Sequence, residues 1–191
     1  MGAADFANPT TGYPRWVDVP SWIDFALFQE LARNTDGYTK SSYYQKLPDA
    51  AGGKVVTAPI WDNDLSYGLL SNGTHTPEGW LYEFKWNMPV PWWERLWRDP
   101  PFRNAARCRW QELRRGKLTT AAIGAKIDEF AAILARAQPR ENARWMLIGK
   151  KEASSAYVGA TWADDVRYLK SWLPKRMAWL DTGLAGACTR P

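Results

Sequence analysis

Apolar residues recur at helical intervals near the start of the chain. From Pro20 they return every three or four residues, and Asn34 and Gly37 are residue types that end a helix. Two short runs follow, 41–47 and 54–60, which are rich in aromatic and β-branched residues and are separated by proline and glycine. The pattern predicts one helix followed by a β-hairpin. The apolar face of that helix comprises Trp22, Ile23, Ala26, Leu27 and Leu31.

The second half of the chain has helical periodicity throughout. Its last helix is expected to open at Thr161, because Asp164 stands where the second member of a capping box belongs. Pro174 should bend that helix. The whole pattern predicts a predominantly helical α+β fold, with one helix, a small β-hairpin and then a helical bundle. The earlier helices of the second half are expected to begin at Pro91, Phe102, Thr119 and Arg140.

Two segments lack a regular pattern. Residues 1–14 are expected to form an unstructured lead-in. Residues 69–91, which are rich in glycine, proline and asparagine, are expected to form a long loop.

The length of 191 residues suits a single domain. No stretch approaches the roughly 18 apolar residues of a membrane-spanning helix. The first residues also lack the basic and apolar regions of a signal peptide.

The net charge of +5 is unevenly distributed. The first 91 residues hold 6 Lys and Arg against 10 Asp and Glu, whereas the remaining 100 hold 19 against 10. The basic half fits either a nucleic-acid footprint or solvated helix faces, but no nucleic-acid-binding motif accompanies it. Nucleic-acid binding is therefore not expected. The charge asymmetry also fits a second arrangement, in which the acidic half contains a cation site and the basic half binds anionic ligands.

The 13 tryptophans also allow two interpretations. Those within predicted helices are expected to pack in the core. A cluster in the loop and the helix after it could instead be exposed, and exposed indoles stack on sugar rings, which keeps carbohydrate binding open. This cluster comprises Trp80, Trp86, Trp92, Trp93 and Trp97.

Two short acidic motifs are the candidate site. Asp36 follows the first helix, and Asp62 and Asp64 follow the second predicted strand. A hairpin returns the chain close to its starting point, so the two motifs can meet. In an extended backbone the side chains of Asp62 and Asp64 would point the same way, and Mg²⁺ prefers such oxygen ligands. Aspartates are also common in turns for purely local reasons.

The sequence of these segments resembles that of the CotH kinase family. The members of this family are spore-coat and envelope proteins with an atypical protein-kinase-like fold. The resemblance covers residues 15–190, which would be the C-terminal part of the kinase-like domain. The chain begins where the family's second half begins, so the N-terminal lobe that covers the nucleotide is expected to be absent. The residues that carry the resemblance most specifically are Asn34-Thr35-Asp36-Gly37, Ser41-Ser42-Tyr43-Tyr44 and Ala58-Pro59-Ile60-Trp61-Asp62-Asn63-Asp64.

The resemblance implies Mg²⁺-dependent phosphoryl transfer from ATP to serine or threonine hydroxyls of a protein substrate. Asp36 would orient or deprotonate the acceptor hydroxyl, and Asp62 would hold the magnesium that bridges the nucleotide phosphates. Asp64 would be a second metal ligand, and Asn34 and Ser41 would bind the cofactor. The family commonly has an aromatic residue where this chain has Asn63. Without the N-terminal lobe, the basic residues that remain near the motifs to meet phosphate are Lys40, Lys46 and Lys54.

Cys108 and Cys188 are the two cysteines. Their number and spacing exclude a zinc site of the usual pattern and leave two free thiols or one disulfide open. The resemblance favours the disulfide, because exported relatives often carry cysteine at both positions, and it implies an exported protein of the cell envelope or exterior. A non-catalytic envelope, spore-coat or carbohydrate-binding module that retains the fold is the alternative function.

Overall fold

The computed structural model describes residues 3–84, 91–152 and 154–189. It has the predicted α+β order, with helix α1 preceding the predicted first helix. The described part of the predicted loop, 69–84, consists of turns, and Leu70 forms an isolated bridge with Ser155. Residues 85–90 of that loop lie outside the described residues. The elements are α1 (Tyr13–Trp16), α2 (Val19–Ala32), β1 (Tyr44–Lys46), β2 (Val55–Thr57), α3 (Pro91–Arg98), α4 (Pro100–Arg114), α5 (Thr120–Leu134), α6 (Gln138–Trp145) and α7 (Trp162–Gly183).

Local capping fixes where several helices begin. The Asp18 side chain accepts from the Ser21 N–H at the start of α2, and the Asp99 side chain accepts from the Phe102 N–H at the start of α4. The predicted capping box at Thr161 is present at the start of α7. Such caps satisfy the free N–H groups of a first helical turn and contribute about 1 kcal/mol each.

The hairpin is shorter than the sequence predicts, with three residues in each strand. Its strands are antiparallel, with Tyr44 opposite Thr57. A two-stranded hairpin is marginal by itself, and here β2 is fastened to α2. The Val55 carbonyl accepts hydrogen bonds from the Asp18 N–H at 2.9 Å and from the Trp22 indole at 3.0 Å. The acidic segment after β2 is thereby placed beside α2.

Aromatic packing dominates the core among α2, α3, α4 and α7. Trp93, Trp97 and Trp110 are fully buried, and the Phe25 ring stacks on Trp93 with centroids 5.5 Å apart. Each large aromatic removes 150–250 Å² from water, which makes such residues the main apolar contribution to stability. The interpretation of helical tryptophans as packing residues is confirmed for Trp22, Trp110 and Trp172, and it is wrong for Trp145, which is 55% exposed.

Ion pairs between helices surround this core. Asp24 of α2 binds Arg109 of α4, and Asp128 of α5 binds Lys170 of α7. Asp181 of α7 accepts from the guanidinium of Arg114 and from the indole of Trp110, both at 2.9 Å. The charged residues of the basic half are therefore in part cross-links between helices. Among the described residues, no helix is long and apolar enough to cross a membrane.

The prediction of an unstructured lead-in is wrong for the residues that the structure describes. The side chains of Phe6 and Tyr13 are buried in the core. The Tyr13 hydroxyl donates to the Asp99 carboxylate at 2.8 Å, which ties α1 to the start of α4. Two aromatic residues in a polar segment give no periodicity, so the sequence pattern could not show that this segment packs.

Cys108 and Cys188 form a disulfide, as the resemblance implied. It joins α4 to the C-terminal tail across 80 residues of chain. The tail is also held by Asn104, whose amide donates to the Thr189 carbonyl. The last described residues are thus bound to the helical bundle.

Candidate functional site

Asp36 lies in a tight turn directly after α2. The helix ends at Arg33, whose backbone is left-handed with φ 49°. Beyond it, the Asp36 carbonyl accepts hydrogen bonds from the N–H groups of Thr39, Lys40 and Ser41 at 2.9–3.0 Å. These bonds fold the backbone around Asp36 and leave its side chain partly exposed. The sequence forms this turn because Asn34 and Gly37 are residues that favour leaving a helix.

Asp62 and Asp64 lie in the exposed segment after β2. Asp62 has a left-handed backbone with φ 55°, so the prediction of an extended Asp62-Asn63-Asp64 is wrong. The two carboxyl groups nevertheless meet, since they are within hydrogen-bonding distance of each other. That hydrogen bond, the Asp64 charge and the more distant charge of Asp36 raise the pKa of Asp62 above its ordinary value. The three predicted acids therefore share one electrostatic environment.

Asn34 joins the two acidic motifs. Its side-chain Nδ2 donates to the Asp62 carbonyl at 2.8 Å and to Asn63 Oδ1 at 3.1 Å. Its Oδ1 accepts from the Asp36 N–H at 3.1 Å. Asn34 is fully buried, so both ends of its amide are occupied within the protein. The structure gives Asn34 a positioning contact, whereas the sequence predicted a cofactor contact for it.

Ser41 and one of the three nearby lysines contact Asp36, and the other two lysines bind elsewhere. Ser41 is buried behind it and donates its N–H to the Asp36 carbonyl. Lys40 Nζ lies 3.4 Å from Asp36 Oδ1 and is half exposed. Lys46 pairs with Asp49 in the hairpin turn, and the ammonium of Lys54 donates to a backbone carbonyl of α1. Of the three lysines considered, Lys40 is the one at the acidic motifs.

The donor set fits a hard divalent cation. Two carboxyl groups at hydrogen-bonding distance repel when both are charged, and a proton or a cation between them relieves that repulsion. Magnesium is commonly bound by one or two carboxylates, with water and phosphate oxygens completing its shell. Across the described ranges, no group of three or more acidic, histidine or cysteine side chains is arranged to hold a metal. The Asp62–Asp64 pair offers two carboxylates, the number that magnesium commonly takes from a protein, and Asp36 does not join them as a third ligand.

The acidic segment is anchored at its far end. The Tyr67 N–H donates to the Ala32 carbonyl at 2.8 Å, and the Tyr168 hydroxyl donates to the Gly68 carbonyl at 2.8 Å. Gly68 has φ 81°, and a Cβ there would lie 2.4 Å from the Trp172 indole nitrogen. Only glycine fits so close to α7. The segment between β2 and this anchor is thus fixed to both α2 and α7.

A buried charge network lies beneath the site. Glu30, in the last turn of α2, forms an ion pair with Arg176 of α7 at 3.2 Å, and both side chains have no exposed surface. The Glu30 carboxylate also accepts from the N–H groups of Leu81 and Tyr82 at 2.7 and 3.0 Å. The same carboxylate accepts from the Tyr38 hydroxyl at 3.1 Å. These bonds lock α2, α7 and the loop before α3 together.

Burial acts on the pKa of both partners in this network. It raises the pKa of Glu30, against the Arg176 charge and the N–H and O–H donors, which lower it. It lowers the pKa of Arg176 to about 10, so this guanidinium is cationic at neutral pH. Sequence reasoning gave neither residue a role, although a charged residue beside Met177 on the apolar stripe of α7 was a signal that could have found Arg176.

Exposed aromatic residues border the acidic segment. Tyr43 and Trp61 meet edge to face with ring centroids 6.0 Å apart, and about half of each side chain is exposed. Ile60, next to them in the chain, is also exposed. The site therefore combines a carboxylate pair, one lysine and an apolar platform on a single stretch of surface.

A family model described as CotH kinase protein matches residues 2–180. The chain belongs to the CotH kinase family. The match includes both acidic motifs, the helices from α1 to α6 and most of α7. No curated protein and no solved structure matches the chain.

Proposed function

We propose that this CotH family chain is the acceptor-activating and metal-holding part of a protein kinase that uses Mg²⁺ and ATP. The observation that carries the proposal is the contact made by Asn34, which joins the backbone of Asp36 to the segment bearing Asp62 and Asp64. A kinase needs one carboxylate at the acceptor hydroxyl and another at the metal. Here the buried side chain of Asn34 joins the backbone of Asp36, which bears one carboxylate, to the segment that bears the carboxylates of Asp62 and Asp64.

Asp36 acts on the acceptor. Its partly exposed carboxylate accepts the proton of a serine or threonine hydroxyl as that oxygen forms a bond to the γ-phosphorus of ATP. The bond from the γ-phosphorus to the bridging oxygen breaks, and ADP leaves. Ser41 and Asn34 hold the backbone of Asp36 in place for this step.

Asp62 and Asp64 would hold a magnesium ion, which would supply positive charge to neutralise the nucleotide phosphates. Lys40 is ion-paired with Asp36 and places a second positive charge at the transferring phosphate. The Tyr43–Trp61 platform gives the nucleotide or the substrate an apolar face beside the carboxylates. The family resemblance assigns the covering of the nucleotide to an N-terminal lobe.

The test is phosphoryl transfer with radiolabelled ATP, measured for this chain and for the chain extended by whatever its upstream reading frame encodes. Asp62→Asn should abolish both Mg²⁺-dependent ATP binding and transfer. Asp36→Asn should keep ATP binding and lose transfer by about 10²–10⁴-fold, the range for a general base. Asp49→Asn, in the hairpin turn, is the matched control and should change neither.

The proposal fails if the extended protein transfers no phosphate under these conditions. It also fails if Asp62→Asn supports transfer as well as the parent protein does. Retained transfer in Asp36→Asn would leave the metal site but remove the assignment of Asp36.

A second candidate function is carbohydrate binding by a non-catalytic envelope module. Trp93 and Trp97 of the predicted tryptophan cluster do not support it, because both are buried, and Trp86 lies outside the described residues. A different feature does. A cleft of about 430 Å³ is lined by Phe6, Tyr13, Trp16, Trp22, Tyr44 and Trp92. Glycan-array binding that is lost in Trp16→Ala, with transfer absent from every form of the protein, would favour this function.

A further inference from the structure

Large apolar side chains are exposed together on α5, α6 and the turn after α6. None of the residues of α5 or α6 is buried. The α5–α6 surface is defined here by six side chains with 52–63% of their area exposed, namely Phe130, Ile133, Leu134, Trp145, Met146 and Leu147. Ile123 and Ile127, earlier on α5, do pack against the core. The apolar stripe of α5 is therefore covered at its start and uncovered at its end.

Three of these side chains also line a cleft of about 330 Å³. Leu134 from α5, Trp145 from α6 and Leu147 from the turn line it, and Trp162 from the start of α7 closes it. Contiguous exposed apolar side chains mark interaction sites more often than plain surface does. The α5–α6 surface is therefore concave as well as apolar.

Basic residues surround the α5–α6 surface. The ammonium of Lys126 lies 5.5 Å from the centre of the Phe130 ring, and the guanidinium of Arg144 lies 5.1 Å from the centre of the Trp145 ring. Residues 120–151 carry six basic side chains and three acidic ones. The basic residues there are Lys126, Arg136, Arg140, Arg144, Lys150 and Lys151.

The acidic residues of this region are largely neutralised. Asp128 is paired with Lys170, and Glu129 with Lys126, whereas Glu141 lines the cleft. Arg140 and Arg144 have no acidic partner within the described ranges. The rim therefore presents uncompensated positive charge around an apolar centre, and its complement is an anionic surface.

We propose that the α5–α6 surface docks on the face of an anionic lipid bilayer, with its apolar side chains at the boundary between headgroups and acyl chains. Tryptophan, phenylalanine and leucine on one face and Lys and Arg around them are the pattern of helices that lie in that boundary. Each basic residue near an anionic leaflet adds attraction. A second copy of the chain is disfavoured, because a symmetric contact would bring two basic rims together. This surface function is independent of the proposed kinase activity.

Flotation with vesicles tests the proposal on the whole chain. Vesicles of equal parts phosphatidylcholine and phosphatidylglycerol should carry the protein upward, and vesicles of phosphatidylcholine alone should carry much less. Arg140→Gln with Arg144→Gln should weaken binding about thirtyfold, since each basic residue near an anionic leaflet contributes roughly fivefold. Trp145→Ser with Leu147→Ser should weaken it by at least tenfold at every ionic strength.

Matched controls lie away from the surface. Arg115→Gln with Lys117→Gln removes two exposed charges beyond the other end of α5, about 20 Å away for a helix of this length. Trp16→Ser removes an exposed tryptophan near the opposite end of the chain. Neither control should change vesicle binding, and thermal unfolding should confirm that the four exposed positions of the test variants leave the fold intact.

Three outcomes overturn the proposal. The first is binding that is equal with both kinds of vesicle or absent from both. The second is binding that salt abolishes and that the Trp145 and Leu147 variant does not alter, which indicates charge attraction without insertion. The third is a dimer in light scattering that these substitutions dissociate, which shows that the surface receives a second copy.

Discussion

Glu30 and the Asp62–Asp64 pair have the same chemistry and opposite surroundings. Glu30 has no exposed surface and is satisfied by a guanidinium, a hydroxyl and two backbone N–H groups. Asp62 and Asp64 are exposed, lie within hydrogen-bonding distance of each other and have no cationic partner within the described ranges. The protein neutralises one acid internally and leaves the other two exposed, without a cationic partner among the described residues.

The two regions lie at the same end of α2. Glu30 is in the last turn of the helix, and Asn34 follows it by one turn of chain. Because Glu30 fixes that end against α7 and the loop before α3, the Asn34 amide is held where it can bind both acidic motifs. A rigid buried charge network therefore supports an exposed site whose charges are uncompensated. The following experiments test whether the two regions differ in this way.

The largest effect is expected from Arg176→Met. It leaves the Glu30 charge buried without a counter-ion, which should lower the free energy of unfolding by about 3–5 kcal/mol. Urea unfolding followed by circular dichroism measures this loss. Arg167→Met is the control, because the ion pair of Arg167 with Asp164 is exposed and should contribute about 1 kcal/mol or less. A loss below 1 kcal/mol in Arg176→Met would show that the network does not hold the end of α2.

The next effect concerns the disulfide, which joins α4 to the C-terminal tail. Replacing Cys108 and Cys188 together by serine should lower the free energy of unfolding by about 2–4 kcal/mol, because the bridge closes a loop of 80 residues. Mg²⁺ binding should not change, since the bridge makes no contact with the acidic segment among the contacts described. A parallel loss of Mg²⁺ affinity would show that the tail and the site are coupled.

Asn34→Ala should affect both regions moderately. It removes the hydrogen bonds to Asp62, Asn63 and Asp36, and should cost about 1–3 kcal/mol of unfolding free energy. It should also lower Mg²⁺ affinity by separating the motifs, as isothermal titration calorimetry would measure. Asn104→Ala, whose amide binds the tail instead, should leave Mg²⁺ affinity unchanged. Full Mg²⁺ affinity in Asn34→Ala would contradict the bridging role.

Local patterns in the sequence were enough for helices α2 to α7 and for part of the site, but not for α1. The apolar period predicted α2, and the Thr161–Asp164 pair predicted the start of α7, since both depend on residues one turn apart. The resemblance placed Asp36 and Asp62 in one site and implied the disulfide. Spatial adjacency of the acids needed only the hairpin.

Non-local contacts were beyond the sequence pattern. Asn34 binds a carbonyl 28 residues away, and no local pattern records that bond. Asp62 has a left-handed backbone although it is not a glycine, and no local pattern predicts that either. The Phe6 ring packs against the guanidinium of Arg95, 4.3 Å from its centre, and Arg95 lies on α3 much later in the chain. Likewise, periodicity predicted the apolar stripe of α5 but could not show that its second half is uncovered, with Phe130 and Leu134 exposed.

The smallest effect on stability, and the sharpest on binding, is expected from Asp62→Asn. The substitution removes repulsion with Asp64 at an exposed position, so the free energy of unfolding should hardly change, and in the stabilising direction if at all. Mg²⁺ binding in the presence of ATP should be lost, because one carboxylate of the pair is gone. The contrast with Arg176→Met is the decisive comparison: that variant should lose stability first and Mg²⁺ affinity only as α2 loosens. If Asp62→Asn were as destabilising as Arg176→Met, the exposed acids would be structural, and their separation from the buried network would not hold.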